Sequence, residues 1–152
     1  MFAKLVNTSN DFTLTILRVV LGSVFFAHGA QKVLGWFGGK GIDDSVAAFT
    51  QFLGIPAPLA YLAIAAEFVG GAGLVVGLLG RIAALGILTN MVVAIVLVHA
   101  RNGLFMNWTG KQAGEGFEYH LLAIAIALAI LIRGSGALSI DRLLTRSSSP
   151  PA

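Results

Sequence analysis

Four apolar runs, each with few charges inside it, decide what this chain can become. They cover about residues 12–32, 57–79, 82–100 and 115–133. A helix needs about 20 mainly apolar residues to cross a ~30 Å hydrocarbon layer. Within that layer the backbone must satisfy its own hydrogen bonds, which leaves helices as the natural spanning unit for runs of this length. A soluble chain of 152 residues would need a polar surface, whereas 57% of this one is hydrophobic, 11% is charged and the mean hydropathy is +0.86. The expected fold is therefore an all-α integral membrane bundle of four transmembrane helices, in one domain over residues 12–143. The fourth span is unusual. Its purely apolar part, Leu121 to Ile132, is too short, and Arg133-Gly134-Ser135-Gly136 follows. Counting backwards draws Phe117, Glu118, Tyr119 and His120 into the membrane or its boundary.

Between the first two spans, GIDDSVAAFTQFLGIPAP places Asp43 or Asp44 as a helix N-cap before Val46, Phe49 and Phe52 or Leu53 at helical spacing. Gly54 and two prolines then stop it, so a short amphipathic helix at the membrane interface is expected. Between spans three and four, RNGLFMNWTGKQAGEG reads as an ordered loop or lid with Trp108 at headgroup level. Residues 1–11 form an N-terminal segment and 144–152 a disordered tail. The N-terminal run is read as a retained span, since Arg18 lies inside it and His28 would occupy the minus-three position of a cut after Ala30.

The formal charge of +3 comes from Lys and Arg scattered singly at the ends of apolar runs, which is membrane flanking and no nucleic-acid stripe. Lys4, Arg81, Arg133, Arg142 and Arg146 fall on one side, and Lys32, Lys40, Arg101 and Lys111 on the other. That bias points both termini to the cytoplasm and the protein to a bacterial plasma (inner) membrane. Without cysteine the chain forms no disulfide or thiolate metal site. Gly70, Gly73 and Gly77 on span two give a small-residue face for close packing within the bundle or, less directly, for a homo-oligomer.

The polar residues inside the spans need a reason. Arg18 lies about six residues, or ~9 Å, from the start of span one, and Glu67 lies near the middle of span two. An unpaired charge at mid-membrane costs roughly 2.5 to 3.5 kcal/mol on insertion scales. Either an Arg18 to Glu67 bridge fixes helix register, or the two groups serve ligand binding or proton handling. At about 100° per residue, Arg18, His28 and Lys32 share one wedge about 80° wide, with Gln31 beside it. Snorkelling accounts for Lys32 alone. If the spans alternate, the outer mouth also receives His99, Glu118 and His120. No HxxxH or ExxH spacing supports a metal site there. Asn90 lies on the opposite helix face from His99 and is expected to bond across to another helix.

With these residues assembled, the chain resembles the DoxX-like family of small four-helix bacterial membrane proteins over Leu14 to Leu143. The likeness rests on LRVVLGSVFFAHGAQKVLGWF, EFVGGAGLVVGLLGR, VHARNGLFMNW and GEGFEYHLLAIAIALAILIRGSGALSIDRLL in that order. It implies a four-helix membrane fold, and some relatives are described as subunits of quinone-linked oxidoreductases or of membrane redox complexes. By similarity, Arg18, His28, Lys32, Glu67, His99 and Glu118 are the residues to follow.

Two functional classes compete. In the first, a redox-associated subunit binds a quinone or similar small amphiphile in the polar outer mouth, using Arg18, His28, Gln31, Lys32, Glu67, His99, Glu118 and His120, and works with a redox partner protein. In the second, the chain is a noncatalytic scaffold or chaperone whose polar stripe is internal glue. Transport would need a polar path to both faces, and the inner half offers only Arg18.

Overall fold

The computed structural model describes residues 2–147, without the side chains of 146 and 147. Among the described residues it is all-α, with seven helices and no strand: α1 (Phe2–Val6), α2 (Phe12–Leu34), α3 (Ile42–Leu53), α4 (Ala57–Val76), α5 (Gly80–Ala94), α6 (Glu118–Arg133) and α7 (Ile140–Ser147). The expected tail over 144–152 lies outside the described residues from 148 onward, and 144–147 continue α7.

Three helical stretches are long and apolar enough to cross a membrane: Phe12–Leu34, Ala57–Val76 and Gly80–Asn102, the last running from α5 through a π-helical turn (Ile95–His99) and a 3-10 turn (Ala100–Asn102). α6 has 16 residues, about 24 Å, and does not meet that length. Its N-terminal side is shortened because Phe117 and Glu118 donate their N–H groups to the Gly103 and Leu104 carbonyls, which ties 115–117 into the preceding loop.

The long helices pack in adjacent pairs, α2 on α4, α4 on α5, α5 on α6 and α6 on α2. The core between them holds Leu21, Phe25, Leu74, Ile87, Met91, Ala127 and Ile130. α2 and α4 approach closely at Gly22 and Gly71, where both lack a side chain, and again at Gly29 against Phe68. A Cβ on Gly22 would sit 2.7 Å from the Gly71 carbonyl oxygen, and one on Gly71 would sit 2.5 Å from Phe26 N. The glycines picked out by spacing do other things. Gly70 faces Ala83, Gly73 faces the Leu78 carbonyl, and Gly77 ends α4 in a left-handed conformation (φ 71°) against Ser139. α4 accordingly stops at Val76, three residues before its expected end.

α3 packs its Val46 and Phe49 against Ile64 and Ala60 of α4 while Phe52 points outward. Gly41 is its N-cap, and Asp43 and Asp44 fall in the first turn, where negative charge suits the helix dipole. Gly54 closes it in a left-handed cap, as the spacing predicts.

Two ends result. One gathers α1, the α4–α5 turn, the α6–α7 loop and α7. The other carries the Gly35–Gly41 turn, α3 and the loop between Asn102 and Glu118.

Candidate functional site

At the terminal end, four charged side chains each answer a helix end of opposite polarity. Arg18 is 2% exposed, and its Nη1 donates to the Leu74 and Val75 carbonyls at 2.7 and 2.6 Å, covering the C-terminus of α4. Its Nη2 donates to Leu138 O at 2.6 Å and Ala137 O at 3.4 Å. Arg81 covers the C-terminus of α6 through the Leu131 and Ile132 carbonyls. Asp11 caps α2 through the N–H groups of Thr13 and Leu14. Asp141, 1% exposed, accepts from Leu79 N, Gly80 N and Ser135 Oγ at 2.8, 3.0 and 2.6 Å, and so caps α5. These groups satisfy terminal donors and acceptors that lipid cannot.

An Arg18 to Glu67 bridge, one of the two readings open from the sequence, does not form, and helix geometry supplies the reason. Side chains lean towards the N-terminus of their own helix. α2 and α4 are antiparallel, so Arg18 leans to the terminal end while Glu67 leans away from it. Lys32 leans back along α2 towards Glu67. Its Nζ meets Glu67 Oε2 at 2.6 Å, the one ion pair among the described residues. Glu67 is buried at 9% exposure, because Gly29 lets α4 approach α2 at Phe68 one turn before Lys32.

A second pair lies between α5's extension and α6. The His99 and His120 rings have centroids 4.1 Å apart. His99 Nδ1 lies 2.8 Å from the Glu115 carbonyl. A carbonyl only accepts, so His99 Nδ1 carries a proton, and in the neutral ring Nε2 is then an acceptor. Tyr119 stands between the two pairs, edge-on to His120 at 5.5 Å and within electrostatic reach of Glu67. Its hydroxyl and the Nδ1 of His120 are buried without a partner among the described residues. Sequence reasoning noticed Tyr119 only as a residue drawn into the membrane. Its signal was the same run, FEYH, that supplied Glu118 and His120.

The remaining candidates fall at the edge. His28 is exposed, with its ring 6.3 Å from Phe25, and lies within electrostatic reach of Lys32 and Glu67. Gln31 donates to the Phe37 carbonyl and holds the Gly35–Gly41 turn. Glu118 turns to the loop, where its Oε1 accepts from Met106 N at 2.9 Å and Trp108 Nε1 at 3.1 Å. Glu115 accepts there from Asn107 N. The loop is thereby fastened beside the histidine pair. Asn90 donates to Ala63 O at 2.8 Å, the cross-helix bond expected of it. Among the described residues no group of three His, Asp or Glu side chains gathers closely enough to hold a metal ion.

The arrangement divides the polar stripe of α2. Its Arg18 end is engaged with main-chain carbonyls through both Nη atoms, and its Lys32 end lies within electrostatic reach of the unpartnered Tyr119 hydroxyl by way of Glu67.

The pattern that defines the DoxX family matches residues 13–100. Over 135 residues the chain is 30% identical to a Bacillus subtilis (strain 168) protein named "Putative oxidoreductase CatD", covering 89% of each chain. No solved structure matches the chain at a significant level.

Proposed function

This chain belongs to the DoxX family of membrane proteins, and on that footing we propose that its four long helices form a membrane bundle binding a quinone or similar small amphiphile at the loop end. In this reading the chain is a redox-associated subunit in a plasma membrane, the loop end faces outward, both termini are cytoplasmic, and α3 lies in the outer interface. The oxidoreductase name of the Bacillus subtilis relative supports the class.

One observation carries the reading. The Tyr119 hydroxyl and His120 Nδ1 are buried without partners among the described residues, Tyr119 within electrostatic reach of Glu67 and His120 against His99. Leaving such groups unpaired costs about 1 to 3 kcal/mol each, and a ring bearing oxygen acceptors and donors would relieve it. Tyr119 would donate to a ligand oxygen, and His120 and Nε2 of His99 would exchange a proton with it. Lys32 and Glu67 would hold compensating charge as that proton moves. A quinone supplies two-electron, two-proton chemistry. The protein groups supply orientation and the proton path.

The test is binding of a short-chain quinone to the purified protein, followed through quenching of the fluorescence of Trp36 and Trp108. We expect saturable binding in the wild type, weakened about tenfold or more in Glu67→Gln and in Tyr119→Phe. Equal binding in all three proteins would overturn the assignment.

The scaffold reading is favoured by the terminal end alone, where Arg18 and Arg81, through their Nη atoms, and Asp11 and Asp141 cap helix ends. It predicts that Glu67→Gln impairs assembly with a partner and leaves small-molecule binding untouched.

A further inference from the structure

The terminal end holds a notch that quinone binding does not use. It is a cavity of about 500 Å³ where the segment before α2, the C-terminus of α4 and the start of α7 meet, lined by Asn10, Val76, Leu138, Ser139, Ile140 and Arg142 among others. Its apolar walls face outward, with Leu138 76% and Val76 48% exposed. Main-chain geometry turns Leu138 out. Its φ is +49°, a conformation that β-carbon-bearing residues rarely adopt, and Arg18 Nη2 holds its carbonyl.

The charge at this end is unbalanced. Both acids are occupied, Asp11 by the N–H groups of α2 and Asp141 by those of α5 and by Ser135. Arg18 and Arg81 are occupied by carbonyls. The guanidinium of Arg142 has no hydrogen-bond or ion-pair partner among the described residues, although its backbone N–H donates to Ser139 Oγ. The notch therefore joins an unanswered planar cation to exposed apolar walls at the end of membrane-crossing helices.

A phosphate diester matches the cation, because guanidinium binds it with two parallel hydrogen bonds. Acyl chains match the walls, and a free phosphate would leave them in water. We propose that this notch is a binding site for one anionic phospholipid, with its phosphate on Arg142, Asn10 beside the headgroup, and its chains along Val76 and Leu138.

The full-length protein in mild detergent is titrated with phosphatidylglycerol or phosphatidylcholine and followed by native mass spectrometry. Thermal unfolding is measured in parallel with each lipid and with inorganic phosphate. We expect one phosphatidylglycerol retained about tenfold more than phosphatidylcholine, with that preference lost in Arg142→Gln and kept in Lys4→Gln. Because the Arg142 guanidinium holds nothing in place, the variant should fold. Asn10→Asp, which sets a negative charge at the mouth, is a second variant and should also lose the preference. Equal retention of the two lipids, or a preference surviving in either Arg142→Gln or Asn10→Asp, would overturn the site. Thermal protection by inorganic phosphate equal to that by phosphatidylglycerol would show a free-anion site and overturn the lipid assignment.

Discussion

Arg18 and Tyr119 are both polar and both within the helices, yet they stand in opposite energetic situations. Both Nη atoms of Arg18 are used, donating to four carbonyls, and only its buried Nε lacks a partner among the described residues. Lysine offers a point charge on a single atom and cannot span that set. Arg18→Lys should therefore lower stability by about 2 kcal/mol or more, read as a drop in melting temperature in detergent, given roughly 1.5 to 3 kcal/mol for each hydrogen bond to a charged group. An unchanged melting temperature would mean that the carbonyls are satisfied by other means. Tyr119 is the reverse case. Its buried hydroxyl has no partner among the described residues. Tyr119→Phe should raise the stability of the ligand-free protein by about 1 kcal/mol and at the same time weaken quinone retention. A variant both less stable and equally retentive would assign the hydroxyl a structural bond instead.

At the scale of elements, helix ends and close approaches set the tolerances. Asp141 bonds Leu79 N through Oδ1 and Gly80 N through Oδ2. An asparagine side chain in its place could accept only one of these and would turn an amide donor to the other. Asp141→Asn should cost about 1 to 3 kcal/mol, measured by denaturant or thermal unfolding. Gly22→Ala inserts a methyl 2.7 Å from the Gly71 carbonyl and 2.9 Å from Val75 N, both backbone atoms that yield only if α2 and α4 separate. A loss of about 1 to 3 kcal/mol is expected, against near neutrality for Gly70→Ala, whose nearest neighbour is at 3.7 Å. Much of this level was legible in the chain. Long apolar runs located α2, α4 and α5, and Gly54 marked the end of α3. The glycine roles were not legible, because GxxxG spacing says that two small residues share a helix face only while the helix lasts. α4 ends at Val76, so Gly77 is a cap. Asp141 also escaped, since its partners Leu79 and Gly80 lie some sixty residues away in the chain.

For the whole molecule, antiparallel packing sorts the charges by depth. It sends Arg18 and Glu67 apart and brings Lys32 to Glu67, a pairing that helical wedges alone did not reveal because they give angle and not lean. Alternating spans put His28, His99 and His120 together at one mouth, whereas only the His99 and His120 rings pair and His28 is exposed at the edge. Glu118 was expected in the mouth and instead fastens the loop through Trp108. With no native cysteine, single cysteines report topology without background. Lys4→Cys and Lys111→Cys, both exposed, should label from opposite sides of intact cells, with Lys111→Cys reached by an impermeant maleimide. Labelling of both from one side would refute the proposed arrangement.

The most direct test of the central claim is an inventory of small molecules released when the protein, purified in mild detergent, is denatured. Mass spectrometry should find a quinone near one per chain in the wild type, and much less in Tyr119→Phe. Bulk phospholipid alone, with no quinone enriched over a control membrane protein, would contradict the account and leave the polar residues at the loop end as internal glue.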